Sequence, residues 1–411
     1  MATPRRTVAL LLLVLLAATA PACGDDLQPA QQDAGASCQG EPVGTPWPYL
    51  DDATFQRGPY LQSVMGDQAV VVVRDAPGGA DACLVWSLPG AAEQSTCGAA
   101  DANGQYELRL TGLPRDTLVS YRVTLGARAT APLTFRTAPA DSRPVRLVVF
   151  GDGHANALTL GQIANDGLQR GVDAVVAVGD SVSQPEEAQF DQFFGGLRPL
   201  LHRVPLWPVI GNHESNGQPY FDAVVVPGAG EAPNPELYYG VRFGDVWVGA
   251  LNLLDLELTA AFGTDLPETK WLRTALQSEA AQGARWRLLF IHQPPYNLGW
   301  GSCDGYHGET SLRDVLLPLA AANGVSAIFS GHVHGYEPGV VDGVHLFVAG
   351  GAGGGLDQYC DPPEGFPAPW QTAYVFHRLL VEAGCAELTV AARGLDGTVL
   401  ETTSILPPAE I

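Results

Sequence analysis

The chain has 411 residues, of which 46% are hydrophobic and 16% charged, so it is long enough for two or three domains and too apolar for disorder. Its 48 glycines and 32 prolines indicate many turns and short strands rather than a helical bundle. The net charge of −22 argues against a nucleic-acid-binding surface, so a nucleic acid is expected at most as a substrate.

Residues 1–22 have the three parts of an export signal. After two arginines, residues 8–18 form an apolar stretch too short to span a bilayer, and Ala20–Pro21–Ala22 is a small-residue cleavage site. Cys23 follows directly, so the segment resembles a bacterial lipoprotein signal whose cysteine is lipidated after cleavage. The alternative is a plain secretory signal with an incidental cysteine. We expect an exported bacterial lipoprotein of the cell envelope, in the periplasm or on the outer surface, attached to the membrane by this lipid.

Export makes the other six cysteines candidates for disulfides, because disulfides persist in oxidising compartments. Several connectivities are open, and the sequence favours Cys83–Cys97, then Cys303–Cys360, and by elimination Cys38–Cys385. The chain contains no CxxC pair, which excludes the usual zinc-finger and thioredoxin motifs.

The next two segments differ in pattern. Residues 23–54 are polar, rich in glycine and proline and without periodicity, which predicts a tether. Residues 55–139 contain short β-type runs separated by turns, which predicts an antiparallel β-sandwich. Within it, residues 110–121 resemble the strand–corner–strand passage of fibronectin type III domains. In those domains a tyrosine hydroxyl, here that of Tyr121, ties the corner to nearby backbone.

The pattern changes again over residues 145–405. Nearly continuous apolar runs alternate with predicted helices, which indicates an α/β domain whose sheet is covered on both faces. The helices are expected near residues 156–169, 186–201, 268–282 and 311–323. Pro267 and Glu268 suit the first turn of the third helix, and Ser311 with Asp314 forms a capping-box pattern for the fourth.

Polar residues follow the ends of five of these apolar runs. In chain order they are Gly151–Asp152–Gly153–His154, Gly179–Asp180, Gly211–Asn212–His213–Glu214, His292 and Gly331–His332–Val333–His334. Ligands of open α/β sheets collect at this edge, because loops from several strands converge there. An extended backbone would turn both members of each i, i+2 pair, Asp152 with His154 and His332 with His334, the same way.

This mixture of carboxylate, amide and imidazole groups suits two divalent transition metals such as zinc, iron or manganese. A shared carboxylate can hold two cations about 3.5–4 Å apart. Each motif alone is a common turn, but five of the nine histidines lie in these motifs, and that concentration predicts a site. The other four are assigned to structure, but His307 lies in a glycine-rich loop, residues 301–308, that could overhang the site, and His307 is the candidate for a substrate contact.

Together, the five motifs in this order resemble the calcineurin-like metallophosphoesterase family over about residues 146–405. Arg57–Gly58–Pro59–Tyr60–Leu61–Gln62, with the fibronectin-like segment, resembles the N-terminal domain of purple acid phosphatases. The resemblance implies a two-domain protein in which the catalytic domain has stacked sheets flanked by helices, an αββα arrangement. It also implies two bound divalent transition metals and hydrolysis of phosphate esters.

The family also implies a role for each site residue. The first metal would be bound by Asp152, His154 and His334, the second by Asn212, His292 and His332, and Asp180 would bridge them. His213 would hydrogen-bond the phosphoryl oxygen or protonate the leaving group, steadied by Glu214. The metals would neutralise the phosphoryl group while a bridging hydroxide attacks in line.

Two departures from the purple subfamily concern metal identity. That subfamily has a glycine at the position of His154 and a tyrosine ligand at the position of Ser183. Without a tyrosinate, no group is evident to hold ferric iron or to give a purple colour. The site is therefore expected to follow the generic family, on a two-domain body that resembles purple acid phosphatases.

The expected function is hydrolysis of small-molecule phosphomonoesters by this exported enzyme. A phosphodiesterase with the same metal ligands is the alternative, and a non-catalytic surface protein whose β-sandwich binds a partner is a third hypothesis. The complete set of ligand-type residues argues against the third. A monoester enzyme should offer extra cationic or histidine donors to the dianion, and Arg242, His307 and Arg313 are the candidates.

Overall fold

The computed structural model describes residues 54–141, 143–228, 235–253 and 266–407. The predicted export signal, Cys23 and all but the last residue of the predicted tether lie outside the described residues. No helix in the described ranges is long and apolar enough to cross a membrane.

Residues 57–136 form two antiparallel sheets, as the short β-type runs predict. The strands are β1 (Arg57–Met65), β2 (Gln68–Arg74), β3 (Ala82–Ser87), β4 (Gln94–Gly98), β5 (Gln105–Leu110), β6 (Leu118–Leu125), β7 (Arg128–Ala129) and β8 (Leu133–Arg136). One sheet has the order β1-β2-β5 and the other β4-β3-β6-β7, with β8 also pairing with β6. Alternating residues of β3, β6 and β8 are buried, which is the pattern of strands with one face on a core.

Disulfides fasten two parts of the described chain. Cys83–Cys97 joins β3 to β4, and Cys303–Cys360 joins two loops of the second half, so both predicted pairs are confirmed. Cys385 is also disulfide-bonded, and its predicted partner Cys38 lies outside the described residues.

Two six-stranded mixed sheets form the second half. The first has the order β11-β10-β9-β18-β19-β20 and the second β12-β13-β14-β15-β17-β16. Their strands are β9 (Val145–Phe150), β10 (Ala174–Val178), β11 (Leu206–Val209), β12 (Tyr238–Phe243), β13 (Val246–Leu251), β14 (Trp286–Phe290), β15 (Ala327–Ser330), β16 (Tyr336–Val341), β17 (Val344–Ala349), β18 (His377–Ala383), β19 (Leu388–Gly394) and β20 (Val399–Ile405). Strands β9, β10 and β11 are parallel, as are β13, β14, β15 and β17.

The helices lie close to their predicted positions. They are α1 (Ala157–Arg170), α2 (Glu187–Leu201), α3 (Gln218–Ala223), α4 (Pro267–Leu276), α5 (Glu279–Gln282) and α6 (Leu317–Ala322), with a π-helical turn over Leu312–Leu316. The expected third helix is split because Ser278 caps a new helix, its side chain accepting from the amide of Ala281. Pro267 stands at the start of α4 with Glu268 in its first turn, as predicted.

One helix signal was wrong. Ser311 was expected to cap the fourth helix in a capping box with Asp314. Instead Ser311 has helical backbone angles and makes no side-chain capping bond, and the π-helical turn follows it. A capping side chain needs a residue outside the helical region, so the Ser–x–x–Asp spacing carries no cap here.

The N-terminal sheets are joined to the second half by buried polar contacts. The fully buried guanidinium of Arg57 pairs with Glu187 at 2.8 Å and Asp191 at 2.8 Å, both on α2. The hydroxyl of Tyr60 donates to the carbonyl of Ala223 at 2.8 Å. The Arg57 pairs hold α2, the helix that follows the loop carrying Asp180, and the Tyr60 bond holds the last residue of α3.

Tyr121 corrects an expectation drawn from fibronectin domains. Its hydroxyl donates to the carbonyl of His202 at 2.6 Å, 81 residues further along the chain, rather than to the nearby corner. His202 follows the last residue of α2. The tyrosine therefore also connects the N-terminal sheets to the second half.

Candidate metal centre

The predicted polar residues follow the carboxyl ends of strands in both large sheets. Asp152 and His154 follow β9, Asp180 follows β10, Asn212 and His213 follow β11, His292 follows β14, and His332 and His334 follow β15. These strands are parallel within each sheet, so their carboxyl ends lie at the same edge. The structure thus brings together side chains from opposite ends of this region, as for Asp152 and His334, whose carboxylate and Nε2 are 3.4 Å apart.

Glycines permit this convergence. A β-carbon at Gly179 would lie 2.3 Å from Nδ1 of His292, and one at Gly331 would lie 2.5 Å from a carboxylate oxygen of Asp152. Both distances are far below any van der Waals contact, so a side chain at either position would displace a site residue.

The i, i+2 spacing predicted that extended backbone would bring these side chains together, and this prediction is wrong. Asp152, His154, Asp180 and His332 have φ angles of 60°, 46°, 49° and 67°. These are left-handed conformations, which cost non-glycine residues free energy and recur at functional sites. Tight turns, rather than the alternation of a strand, therefore set the direction of these four side chains.

The first predicted set of ligands lies together. Ligand atoms of Asp152, His154 and His334 are all within 4.8 Å of one another. Nε2 of His334 is 3.4 Å from a carboxylate oxygen of Asp152 and 3.4 Å from Nε2 of His154. Nδ1 of His334 donates to the carbonyl of Gly355, which leaves Nε2 with its lone pair towards the other two groups.

The second predicted set lies together as well. Nε2 of His292 is 3.2 Å from Asp180 and 3.0 Å from the amide oxygen of Asn212, and Nδ1 of His332 is 2.9 Å from that same oxygen. Nδ1 of His292 donates to the carbonyl of Val178 at 2.8 Å. This bond fixes the ring with Nε2 directed at the site.

Asp180 connects the two sets. It shares one potential metal-binding group with His292 and His332, and another with His154 and His213. Its carboxylate is 2% exposed. A carboxylate that faces nitrogen donors on two sides has the placement that a bridging ligand needs.

Burial makes these carboxylates require positive charge. Burial by itself would lower the pKa of His292, but the charge of Asp180 raises that pKa to about 10. Burial would also lower the pKa of His334, but the hydrogen bond with Asp152 outweighs this effect and raises that pKa to about 9. Burial and the charge of His292 lower the pKa of His332 to about 3. Histidine protons thus hold positions where divalent cations would supply the same charge.

These residues suit transition metals. Neighbouring donor atoms lie about 3–3.5 Å apart, as expected around ions bound at about 2.0–2.2 Å by nitrogen and oxygen. Nε2 atoms of His154 and His334 face each other, an arrangement that needs a proton or a cation between them. The mixed carboxylate, amide and imidazole set favours zinc, iron or manganese over calcium or magnesium.

His213 lies at the side of the two sets. Its side chain is 37% exposed, and its Nε2 is 3.9 Å from Asp180. Its Nδ1 donates to the carbonyl of Ser183 at 2.8 Å. The expectation that Glu214 steadies this ring is therefore corrected, because Ser183 holds it.

Glu214 instead supports the backbone beneath the site. Its fully buried carboxylate accepts hydrogen bonds from the amides of Gly211, Asp180 and Ser181 at 2.7, 3.0 and 2.6 Å. Burial and the charge of Asp180 raise its pKa to about 7. Glu214 thus positions the two loops that carry Asp180 and Asn212 and does not contact the cavity.

A cavity of about 310 Å³ opens onto these groups. Asp180, Asn212, His213, His332 and His334 line one part of it, and Trp300, Gly301, Ser302 and Asp357 line the other. The glycine-rich loop therefore overhangs the site, as expected. Sequence reasoning missed Trp300 and Asp357 because neither follows a strand end, although Trp300 directly precedes the suspected loop.

His307, the residue of that loop expected to contact substrate, is not among the lining residues. Its Nδ1 is 3.3 Å from the carbonyl of Asn297, and its ring packs on Phe366 with centroids 6.3 Å apart. It therefore has a structural role in the base of the loop.

Arg242 and Arg313, the two arginines expected to bind a phosphate dianion, do not line the cavity either. Arg313 donates to the carbonyls of Pro295 and His307 and lies over the ring of Tyr296 at 4.3 Å. Arg242 pairs with Asp141 and Asp245. Among the described residues, no arginine or lysine lines the cavity.

The candidate metal ligands, from Asp152 to His334, lie in a region that resembles known proteins. Residues 145–336 match the family model of calcineurin-like phosphoesterases. Purple acid phosphatase 22 of Arabidopsis thaliana is 24% identical over 215 residues, which are 50% of this chain and 47% of that protein. Nucleotide pyrophosphatase/phosphodiesterase of Hordeum vulgare is 25% identical over 276 residues, 56% of this chain and 74% of that protein. The chain spans about half the length of the Arabidopsis relative.

Solved structures share the fold. Purple acid phosphatase PPD1 from yellow lupin superposes with a TM-score of 0.71, covering 85% of this chain and 74% of that one, at 19% identity. PhoD superposes with a TM-score of 0.64 over 87% of this chain and 90% of that one, at 11% identity. The superposition on the lupin structure covers 85% of this chain, so it includes parts of both the N-terminal sheets and the second half.

We predict that the purified chain contains close to two divalent transition metals and is nearly colourless, because Ser183 replaces a tyrosinate. Asp180→Asn should lose more metal than Asp152→Asn, since only Asp180 faces both sets of ligands. Elemental analysis and a visible spectrum measure this, with the exposed Asp314→Asn as control. At most one metal, a strong tyrosinate–iron band, or full metal retention in Asp180→Asn would contradict it.

Proposed function

Because residues 145–336 form a calcineurin-like phosphoesterase domain, we propose that this chain hydrolyses phosphomonoesters at a centre of two divalent transition metals. The observation that carries the proposal is the position of Asp180, which joins two sets of ligand-type residues at the mouth of one cavity. The relatives, which include phosphatases and a phosphodiesterase, support the same class of reaction.

In the proposed mechanism the protein binds the metals, orients the substrate and excludes water. When bound, the two metals supply Lewis acidity towards the phosphoryl group and a nucleophilic oxygen at neutral pH. Asp152, Asp180 and His292 are buried. They would therefore hold the positive charge of the metals where water is excluded and electrostatic stabilisation is strongest. His332 and His334 line the cavity, so the metals that they would help to bind are accessible to a phosphate ester.

His213 is the proposed proton donor to the leaving group. Its Nδ1 is engaged with the carbonyl of Ser183, so only Nε2 can bind substrate or deliver a proton. Its ring lines the cavity and is partly exposed, as a group that must reach both substrate and solvent should be.

A phosphodiesterase is the second candidate, and the charge of the cavity favours it. The monoester dianion was expected to find extra cationic groups, yet Arg242, His307 and Arg313 all lie elsewhere. Asp357 instead adds a carboxylate to the lining. A diester monoanion carries less charge into this cavity than a monoester dianion does.

The choice between the two is tested with nitrophenyl esters. We expect the metal-loaded chain to hydrolyse p-nitrophenyl phosphate with a higher kcat/KM than bis(p-nitrophenyl) phosphate, because two divalent cations and the imidazole of His213 would offset the charge of the dianion. The opposite order would favour the diesterase. Hydrolysis of neither ester, with two metals confirmed in the sample, would contradict both candidates.

A second prediction concerns His213. A positioned acid contributes about 10²–10⁴-fold in rate, so His213→Ala should lower kcat for phenyl phosphate by about that factor with both metals retained. The loss should shrink for p-nitrophenyl phosphate, whose leaving group needs no proton. Steady-state kinetics and metal analysis measure this. An equal loss for both substrates would indicate electrostatic stabilisation instead, and loss of a metal would make His213 a ligand.

The N-terminal sheets are proposed to be a fibronectin type III-like domain over residues 55–139. Two antiparallel sheets and their strand order support this assignment. The contacts of Arg57, Tyr60 and Tyr121 with the second half give this domain a supporting role for the site. A binding role in a non-catalytic protein has no comparable support.

We also propose export and lipid anchoring. Disulfides in the described residues are typical of proteins that fold in oxidising compartments. Cys23, outside the described residues, would carry the lipid.

In a bacterium that processes lipoproteins, the wild type should fractionate with membranes, whereas Cys23→Ser should be released in soluble form. The physical reason is that acyl chains at Cys23 supply the apolar contact with the bilayer. Membrane fractionation with an antibody against the chain measures this. Equal partitioning of the two proteins would favour the plain secretory signal.

A further inference from the structure

Trp300 is a partly exposed aromatic side chain in the wall of the cavity at the candidate metal centre. It lines the cavity together with His213 and His332. Apart from the histidines, it is the only aromatic side chain among the lining residues that the structure describes. Trp300 is only partly buried, so a ligand can cover more of its surface and gain from the apolar contact.

The indole is held in place by its neighbours. Its ring centroid is 4.5 Å from that of Tyr306 and 5.2 Å from that of His332. The backbone amide of Trp300 donates to the carbonyl of Gln358 at 3.0 Å. Cys303–Cys360 joins the same two segments covalently. The aromatic surface is therefore fixed before a ligand arrives, which lowers the entropic cost of binding.

A buried carboxylate anchors the start of this loop. Glu337 is 0% exposed and accepts from the amides of Leu298 and Gly299 at 2.7 and 2.6 Å. It also accepts from Nε1 of Trp370 at 2.9 Å. The backbone directly before Trp300 is thus fixed from the interior, independently of the disulfide.

The charge around Trp300 restricts the ligand further. Asp357 stands in the same part of the cavity lining and accepts from the amide of His334 at 2.7 Å. The described lining contains no arginine or lysine that would offset a second anionic group. A leaving group with further phosphates or carboxylates would meet this carboxylate unfavourably.

We infer that Trp300 forms a leaving-group subsite that accepts an uncharged aromatic group on the phosphate ester. The inference rests on the proposed function, because it assigns the part of the substrate that lies beyond the phosphoryl group. Trp300 is thereby a specificity-determining residue.

The test compares benzyl phosphate with butyl phosphate, which both release an alcohol and differ in the aromatic ring. The metal-loaded wild type should prefer benzyl phosphate in kcat/KM. Trp300→Leu should lose about 3- to 10-fold on benzyl phosphate, the effect of one aromatic pair, and little on butyl phosphate. Trp300→Phe should restore most of the preference. Trp271→Phe, a partly buried indole on α4 outside the cavity lining, is the matched control.

Equal losses on both esters, or no preference in the wild type, would overturn the subsite while leaving the phosphoesterase proposal intact. If the wild type hydrolyses neither ester, the proposed function fails, and binding of benzylphosphonate against butylphosphonate by calorimetry decides the subsite. Preferential benzylphosphonate binding that Trp300→Leu abolishes would support the subsite, and equal binding would refute it.

Discussion

The burial of two carboxylates, Asp152 and Asp180, is the constraint on which the rest of the site depends. A buried charge is costly unless it is paired, and here histidine nitrogens approach both carboxylates. Those histidines come from the other sheet, so the pairing requires the two sheets to meet at one edge. The glycines at 179 and 331 and the left-handed turns follow from that requirement, because neither bulk nor extended backbone fits.

The N-terminal sheets contribute to the site through hydrogen bonds rather than through a ligand. Arg57 pairs with Glu187 on α2, and Gln189 of the same helix accepts from the amides of Ser183 and Gln184. The carbonyl of Ser183 in turn holds His213. The Arg57–Glu187 ion pair in the interface is thus linked through α2 and Ser183 to the proposed acid.

The two departures from the purple subfamily are in contact. Nδ1 of His154 is 3.2 Å from the hydroxyl of Ser183, and this contact directs Nε2 of His154 to the metal side. A histidine with a small hydroxyl partner here replaces the glycine and tyrosinate of that subfamily. At the proposed centre the pair would supply one nitrogen ligand and no charge-transfer group, which is why a colourless centre is expected. Ser183 therefore contacts His154 through its hydroxyl and His213 through its carbonyl.

The sequence by itself determined the residue types of the site, the alternation of apolar strands with helices, and two disulfides, because these depend on local pattern and on residue chemistry. It also placed Asp180 between two sets of ligands, through the family resemblance. Only the tertiary structure decided that Glu214 supports backbone, that Tyr121 reaches α2, and that Trp300 rather than His307 faces the cavity. Each of these depends on contacts between segments far apart in the chain, and the direction of a side chain in an irregular loop follows from such contacts and not from sequence spacing.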